Sequence, residues 1–185
     1  ATSRIRQHQE TTVLNVARIF PLPEAGDIVW CRFPQEGLAE PGPKPRPALV
    51  ADIGSLRGEP AVEVIYGTSQ KLDRLYPGEF AITTEDRDAL LLSGLSYPTK
   101  FDTGRAMYLP YDDVWFAVAP GAPYGQTPKL GVLHPSLMRR VEYAIVRAID
   151  AKIGNAGFVF GSPPSTKMSV VVSGIDAGSE SCAAA

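Results

Sequence analysis

Cysteine and histidine are scarce in this 185-residue chain, which carries only Cys31 and Cys182, and His8 and His134. Two widely separated thiols do not make a disulfide framework. Two histidines far apart in sequence offer no metal-ligand spacing. A reduced, cytoplasmic protein without a structural metal is the expectation. No apolar run approaches the length that spans a bilayer, and the first 25 residues lack the long apolar stretch of a signal peptide, so export is not expected. A strong excess of one charge is also absent: the formal net charge is −2 and the pI about 5.7. That weighs against nonspecific nucleic-acid binding, which is driven by phosphate neutralisation. It leaves room for a local basic site, because net charge says nothing about distribution. The cations do gather in pairs: Lys44 with Arg46, Lys71 with Arg74, Lys100 with Arg105, Arg139 with Arg140. Each pair can also be an ordinary solvated face.

What the chain has in quantity is punctuation. Glycines and prolines, 17 of each, mark off short β-branched and aromatic runs. GDIVWCRF (26–33), PALVADI (47–53), AVEVIYGT (61–68) and EFAIT (79–83) read as strands. In the third, Val62, Val64 and Tyr66 alternate with Glu63 and Ile65, which predicts one more buried face. SLRGEP (55–60) is a turn signal, and EDRDALLLSGL (85–95) is either a helical turn or a loop. Residues 99–117 hold one or two strands, with Pro110 marking an edge or a break. From Pro135 to Ile153 the period changes: Leu137, Val141, Ile145 and Ile149 recur every fourth residue as one face of an amphipathic helix. Pro135 suits its first turn and Gly154 its end. The expected organisation is an N-terminal arm over 1–23, a domain over 24–154 and a flexible tail over 155–185, in which 168–172 could still pair as a strand. The fold class is mainly β: a small barrel or sandwich closed by a helix.

PGPKPRPALV (41–50) poses a functional question, because it stiffens a loop just before a strand and sets Lys44 and Arg46 in the stiff part. Prolines can simply shape a strand entry. They can also limit the backbone around Arg46, whose planar, permanently charged guanidinium makes paired hydrogen bonds to phosphate.

GDIVW (26–30), a Gly/Pro loop, RPALV (46–50) and YGTSQK (66–71), in that order, resemble the MazF/PemK family of toxin ribonucleases over roughly residues 24–153. The resemblance implies an SH3-like β-barrel with a C-terminal helix, usually a homodimer. It implies cleavage of single-stranded RNA by attack of the 2′-OH, without a metal or other cofactor, and a partner antitoxin protein. Such a partner is expected to lay an acidic segment across the groove holding Arg46 and Lys100. Arg46 would clamp phosphate, and Thr68 at its strand end would donate to it, with Gly67 allowing a ligand close approach. Some relatives carry Arg-Cys-Asp where this chain has Lys100-Phe101-Asp102; on a strand Lys100 and Asp102 share a face, as acid and base partners need. Lys44, Ser69, Gln70 and Lys71 are the remaining RNA-binding candidates. Each residue also has a plainer reading: Thr68 and Ser69 as a turn cap, Lys100 and Asp102 as a surface ion pair, Trp30 and Trp115 as core or dimer contacts instead of base stackers. His134 is expected to be structural, and Cys31 a small buried apolar residue. The chain departs from the family in its arm, its tail and its long 95–116 segment. The rival function is the same barrel without chemistry, binding a peptide or RNA; a structural dimer domain is a third.

Overall fold

A computed structural model describes residues 21–35 and 38–155 of the chain. The arm as far as residue 20, the tail from residue 156 and with it the segment 168–172 lie outside the described residues, while Asn155, expected to open the tail, still belongs to the C-terminal helix. Six strands run in chain order: β1 (Asp27–Cys31), β2 (Arg46–Leu56), β3 (Glu59–Thr68), β4 (Glu79–Ile82), β5 (Thr99–Pro110) and β6 (Lys129–Val132). They form one antiparallel sheet in the order β4-β5-β3-β2-β1-β6. A short helix, α1 (Arg87–Leu92), precedes β5. A 3-10 turn (Pro135–Leu137) leads into the C-terminal helix α2 (Met138–Asn155). The fold is therefore mainly β with a C-terminal helix, as the pattern predicts, but the sheet is not closed, and β4 and β6 are its edges. None of the described helices is long and apolar enough to cross a membrane.

Local chemistry explains the central hairpin. β2 and β3 are joined by Arg57 and Gly58, with φ of 52° and 83°. Two successive residues at positive φ match the right-handed twist of paired strands. Asp86 organises the start of α1: its carboxylate accepts from the Thr83 N–H (3.0 Å), the Thr83 hydroxyl (3.1 Å) and Arg140 of α2 (2.8 Å). These bonds hold the Asp86 carboxyl below its ordinary range, the Arg140 bond contributing most. His134 accepts from the Ser136 N–H at 3.2 Å and so caps the turn before α2, the structural role expected of it.

The sheet is covered on both faces. On one, Ile28, Leu49, Ile65, Phe80, Ile82 and Phe101 pack with Leu137, Val141 and Ala144. On the other, Val29, Ala48, Val50, Val62 and Val64 pack with Phe33, Tyr111 and Phe116. β3 thus buries Val62 and Val64 in one core and Ile65 in the other, while Glu63 on the second face is only half-buried, so the face carrying Val62 and Val64 is the more buried one, as the alternation predicts. Cys31 lies wholly in the second core, and burial drives its thiol pKa far above the usual range.

Three register shifts interrupt the sheet; besides the one between β1 and β6 at Ile28 and Val29, two lie nearer the site. β2 shifts register between Val50 and Asp52. In β5 the ladder to β3 jumps from Ala106, opposite Ile65, to Asp102, opposite Tyr66, leaving residues 103–105 outside the pairing. Such bulges bend a strand and redirect its side chains. Thr103 ties this one down by donating twice to the Gly78 carbonyl, from its N–H (2.9 Å) and its hydroxyl (2.8 Å).

Candidate functional site

Arg46 is the first residue of β2 and pairs with Cys31 of β1. Before it, the proline-rich loop folds back: the Gly42 N–H donates to the Arg32 carbonyl at 2.9 Å, and a side chain at Gly42 would collide with the Phe33 carbonyl. The loop is held by the backbone of the β1 end as well as stiffened by its prolines. Arg46 itself is exposed. No ion pair engages Lys44 or Arg46 among the described residues.

β3 runs antiparallel beside β2, with Tyr66 opposite Ala48. Two residues further, at the strand end, stands Thr68. Arg46 and Thr68 line one cavity of about 420 Å³, together with Trp30, Lys44, Ser69 and Tyr97. The Thr68 hydroxyl accepts from the Gln70 N–H at 3.2 Å. That is the turn-capping role its sequence allows, and it coexists with a place in the cavity, since accepting uses a lone pair and not the O–H proton. Trp30 is half-buried at the cavity wall, whereas Trp115 packs against the second core. Gln70 and Lys71 sit exposed beyond the strand, lining neither this cavity nor the one described below.

Gly67 has a different reason from the one its position suggests. A Cβ there would strike the Pro47 carbonyl and come within 2.9 Å of the Phe101 ring. The glycine is needed to admit the protein's own β2 and core, and it also lines the cavity that holds Arg46 and Thr68. Gly67→Ala is therefore expected to cost about 1–3 kcal/mol through overpacking, and to push the backbone carrying Arg46 off its place. Urea unfolding should show a lowered midpoint; an unchanged midpoint would mean the contact is easily relaxed.

Lys100 and Asp102 share a face, as alternation predicts: Lys100 lies opposite Thr68 and Asp102 opposite Tyr66. The structure does not join them as a pair, and neither lines the cavity of Arg46 and Thr68 or the one beside it. Lys100 is 5% exposed, and its ammonium meets Glu79 of β4 at 2.8 Å. It also donates to the Arg74 carbonyl at 3.2 Å and lies 5.5 Å from the Tyr76 ring centre. Glu79 in turn accepts from the Tyr76 N–H at 2.8 Å. The ion pair of Lys100 is thus buried, and it pins the 74–79 loop to the sheet. Asp102 accepts from the Gly104 N–H at 3.0 Å. Burial pushes its carboxyl pKa up, with a further push from Glu79, against the downward pull of the Gly104 N–H, Arg105 and Lys100.

A second cavity of about 330 Å³ adjoins the first and shares Lys44 and Arg46 with it; Phe33, Tyr66 and Arg105 complete its charged and aromatic lining. Arg105 comes from the β5 bulge, with its guanidinium 4.6 Å from the Tyr66 ring centre and 5.6 Å from that of Phe33. The sequence reading misses Arg105 as a site residue. The available signal is Gly104 before it, since a glycine inside a strand often marks a bulge.

No family model matches the chain, and no curated protein matches it. Among solved structures it is similar to an endoribonuclease in complex with its cognate antitoxin from a mycobacterial species, at 16% identity over 70% of this chain and 96% of that one, with a TM-score of 0.42. It is also similar to a mycobacterial endoribonuclease at 18% identity, over 69% of this chain and 91% of that one, with a TM-score of 0.39.

Proposed function

We propose that the chain is a toxin-type endoribonuclease of the MazF/PemK kind, cutting single-stranded RNA without a metal. The observation that carries this reading is the joint placement of an exposed guanidinium and a strand-end hydroxyl, Arg46 and Thr68, in one cavity. In the reaction the substrate's 2′-oxygen loses its proton and bonds to the adjacent phosphorus. The bond from phosphorus to the 5′-oxygen breaks, and that oxygen takes up a proton. The products are a 2′,3′-cyclic phosphate and a 5′-hydroxyl. Arg46 stabilises the charge that builds on the phosphoryl oxygens, and Thr68 donates a neutral hydrogen bond to one of them. Asp102 is our candidate acid/base group from its place on β5 opposite Tyr66, a wall of the neighbouring cavity, with burial pushing its carboxyl pKa up; it lines neither cavity itself and would have to reach the RNA from beside them. Lys100 we assign to the structure, as its ammonium is engaged by Glu79 and the Arg74 carbonyl. A cytoplasmic homodimer, inhibited by an acidic antitoxin segment over Arg46, completes the proposal.

The burial of Lys100 in that ion pair favours one second reading, in which the site binds RNA without cutting it. Incubating the purified protein with a pool of single-stranded RNAs in EDTA separates the two. Fragments ending in cyclic phosphate and 5′-hydroxyl support the nuclease; RNA retained but intact supports the binding module.

A further inference from the structure

The second cavity brings Arg105, which the cleavage chemistry above does not use, together with Lys44 and Arg46, and among the described residues no carboxylate lines it. None of the three has an ion pair among the described residues. Asp102, whose carboxylate senses the Arg105 charge, turns to the Gly104 N–H and stays out of the lining. Converging like charges repel one another, and an anion relieves that repulsion. Arg105 is also held in place: its guanidinium sits within cation–π distance of the Tyr66 and Phe33 rings, and a guanidinium carries enough N–H donors to make a paired interaction as well. The β5 bulge is what delivers it, because residues 103–105 lie outside the ladder to β3.

We infer that this second cavity binds the phosphate next to the scissile one, with Arg105 as its main contact. The inference rests on reading the chain as a protein of single-stranded RNA. Lys44 and Arg46 belong to both cavities, so the ligand must carry a second negative charge, covalently linked, a short step from the first. A polynucleotide backbone does so at every linkage. Arg105 then sets the register of the strand and leaves the reacting phosphate to Arg46.

The test is the salt dependence of binding to a fluorescein-labelled 2′-O-methyl RNA strand of mixed sequence, which has the phosphates but not the nucleophile. Variants Arg105→Gln, which keeps the stem and a planar amide on Tyr66, and Arg105→Lys are compared with wild type. Each phosphate neutralised on a single strand contributes about 0.7 to the slope of log K against log salt. Arg105→Gln should flatten the slope by about that amount and weaken binding on the order of tenfold at low salt. Arg105→Lys should keep the slope and restore part of the affinity, a pattern that a merely structural role would not give. An unchanged slope in Arg105→Gln overturns the inference, as does loss of binding to polyglutamate with RNA binding intact, which would assign the cavity to an acidic peptide. Wild-type protein that shows the Arg105-dependent slope but cuts no RNA keeps Arg105 as a contact to a backbone phosphate, next to the one held by Arg46, and removes the nuclease reading. Wild-type protein that cuts RNA with a slope indifferent to Arg105 does the reverse.

Discussion

Arg46→Ala should lower kcat by about 10²–10³ while leaving RNA affinity within about tenfold of wild type. The asymmetry follows from when the interaction is made. A donor aimed at charge that develops on the phosphate is worth most in the transition state, and such interactions appear in kcat; contacts made equally to bound substrate appear in KM. Arg46 is suited to the first kind, because its stem leaves a backbone fixed on one side by Pro45 and Pro47 and on the other by pairing to Cys31. Positioning that is settled beforehand does not have to be assembled during reaction. Arg46→Lys should rescue poorly, since a point charge cannot reproduce the planar fork. Thr68→Val should be milder, a neutral hydrogen bond being weaker than a charged one. Steady-state kinetics on one RNA checks all three, with melting temperatures confirming that the variants fold. Equal kcat in folded Arg46→Ala removes Arg46 from catalysis.

Lys100→Met should lose about 3–5 kcal/mol of stability, the usual cost of stranding one partner of a buried ion pair. Lys100 and Glu79 are 5% and 10% exposed, so solvent does little to shield the carboxylate left behind. The variant also removes the bond to the Arg74 carbonyl, freeing the loop before β4. Replacing both partners, as Lys100→Met with Glu79→Leu, should recover much of the loss, because no lone charge then remains in the interior. Urea unfolding of the two variants decides the point. A fully stable Lys100→Met that folds normally and fails to cut RNA would return Lys100 to the acid role that the resemblance suggests and that we assign away from it.

Local chemistry was legible where a residue's neighbours in sequence decide its conformation. The Arg57-Gly58 turn, the strand end at Thr68 and the switch to a helical period after Pro135 are of this kind, whereas the second strand, expected over 47–53, runs from Arg46 to Leu56. The helix also shows the limit. Val141, Ala144 and Ala148 are buried, as its period predicts, yet Ile149 is 49% and Ile153 67% exposed. Periodicity reports which face is apolar and not how far the sheet beneath it extends. Gly154, read as following the helix, lies within its last turn, since α2 runs to Asn155. β6 is only four residues long, too short to show alternation against its loop. At the site, the strand period placed Lys100 and Asp102 on one face correctly, but the partner of Lys100 is a glutamate 21 residues earlier on β4, and only the pairing of β4 with β5 brings it there. Arg105 was hidden for the same reason: its direction depends on a three-residue register jump against β3, which no local rule announces.

Attack by the RNA's own 2′-oxygen can be checked with one pair of strands: an RNA that the protein cuts, and the same sequence with a single 2′-deoxy nucleotide at the cut site, both under single-turnover conditions in EDTA. The protein should cut the first to a cyclic phosphate and a 5′-hydroxyl and leave the second intact, because the deoxy position has no nucleophile. Cleavage of both at the same rate would contradict the account, since the attacking oxygen would then come from somewhere other than the RNA itself.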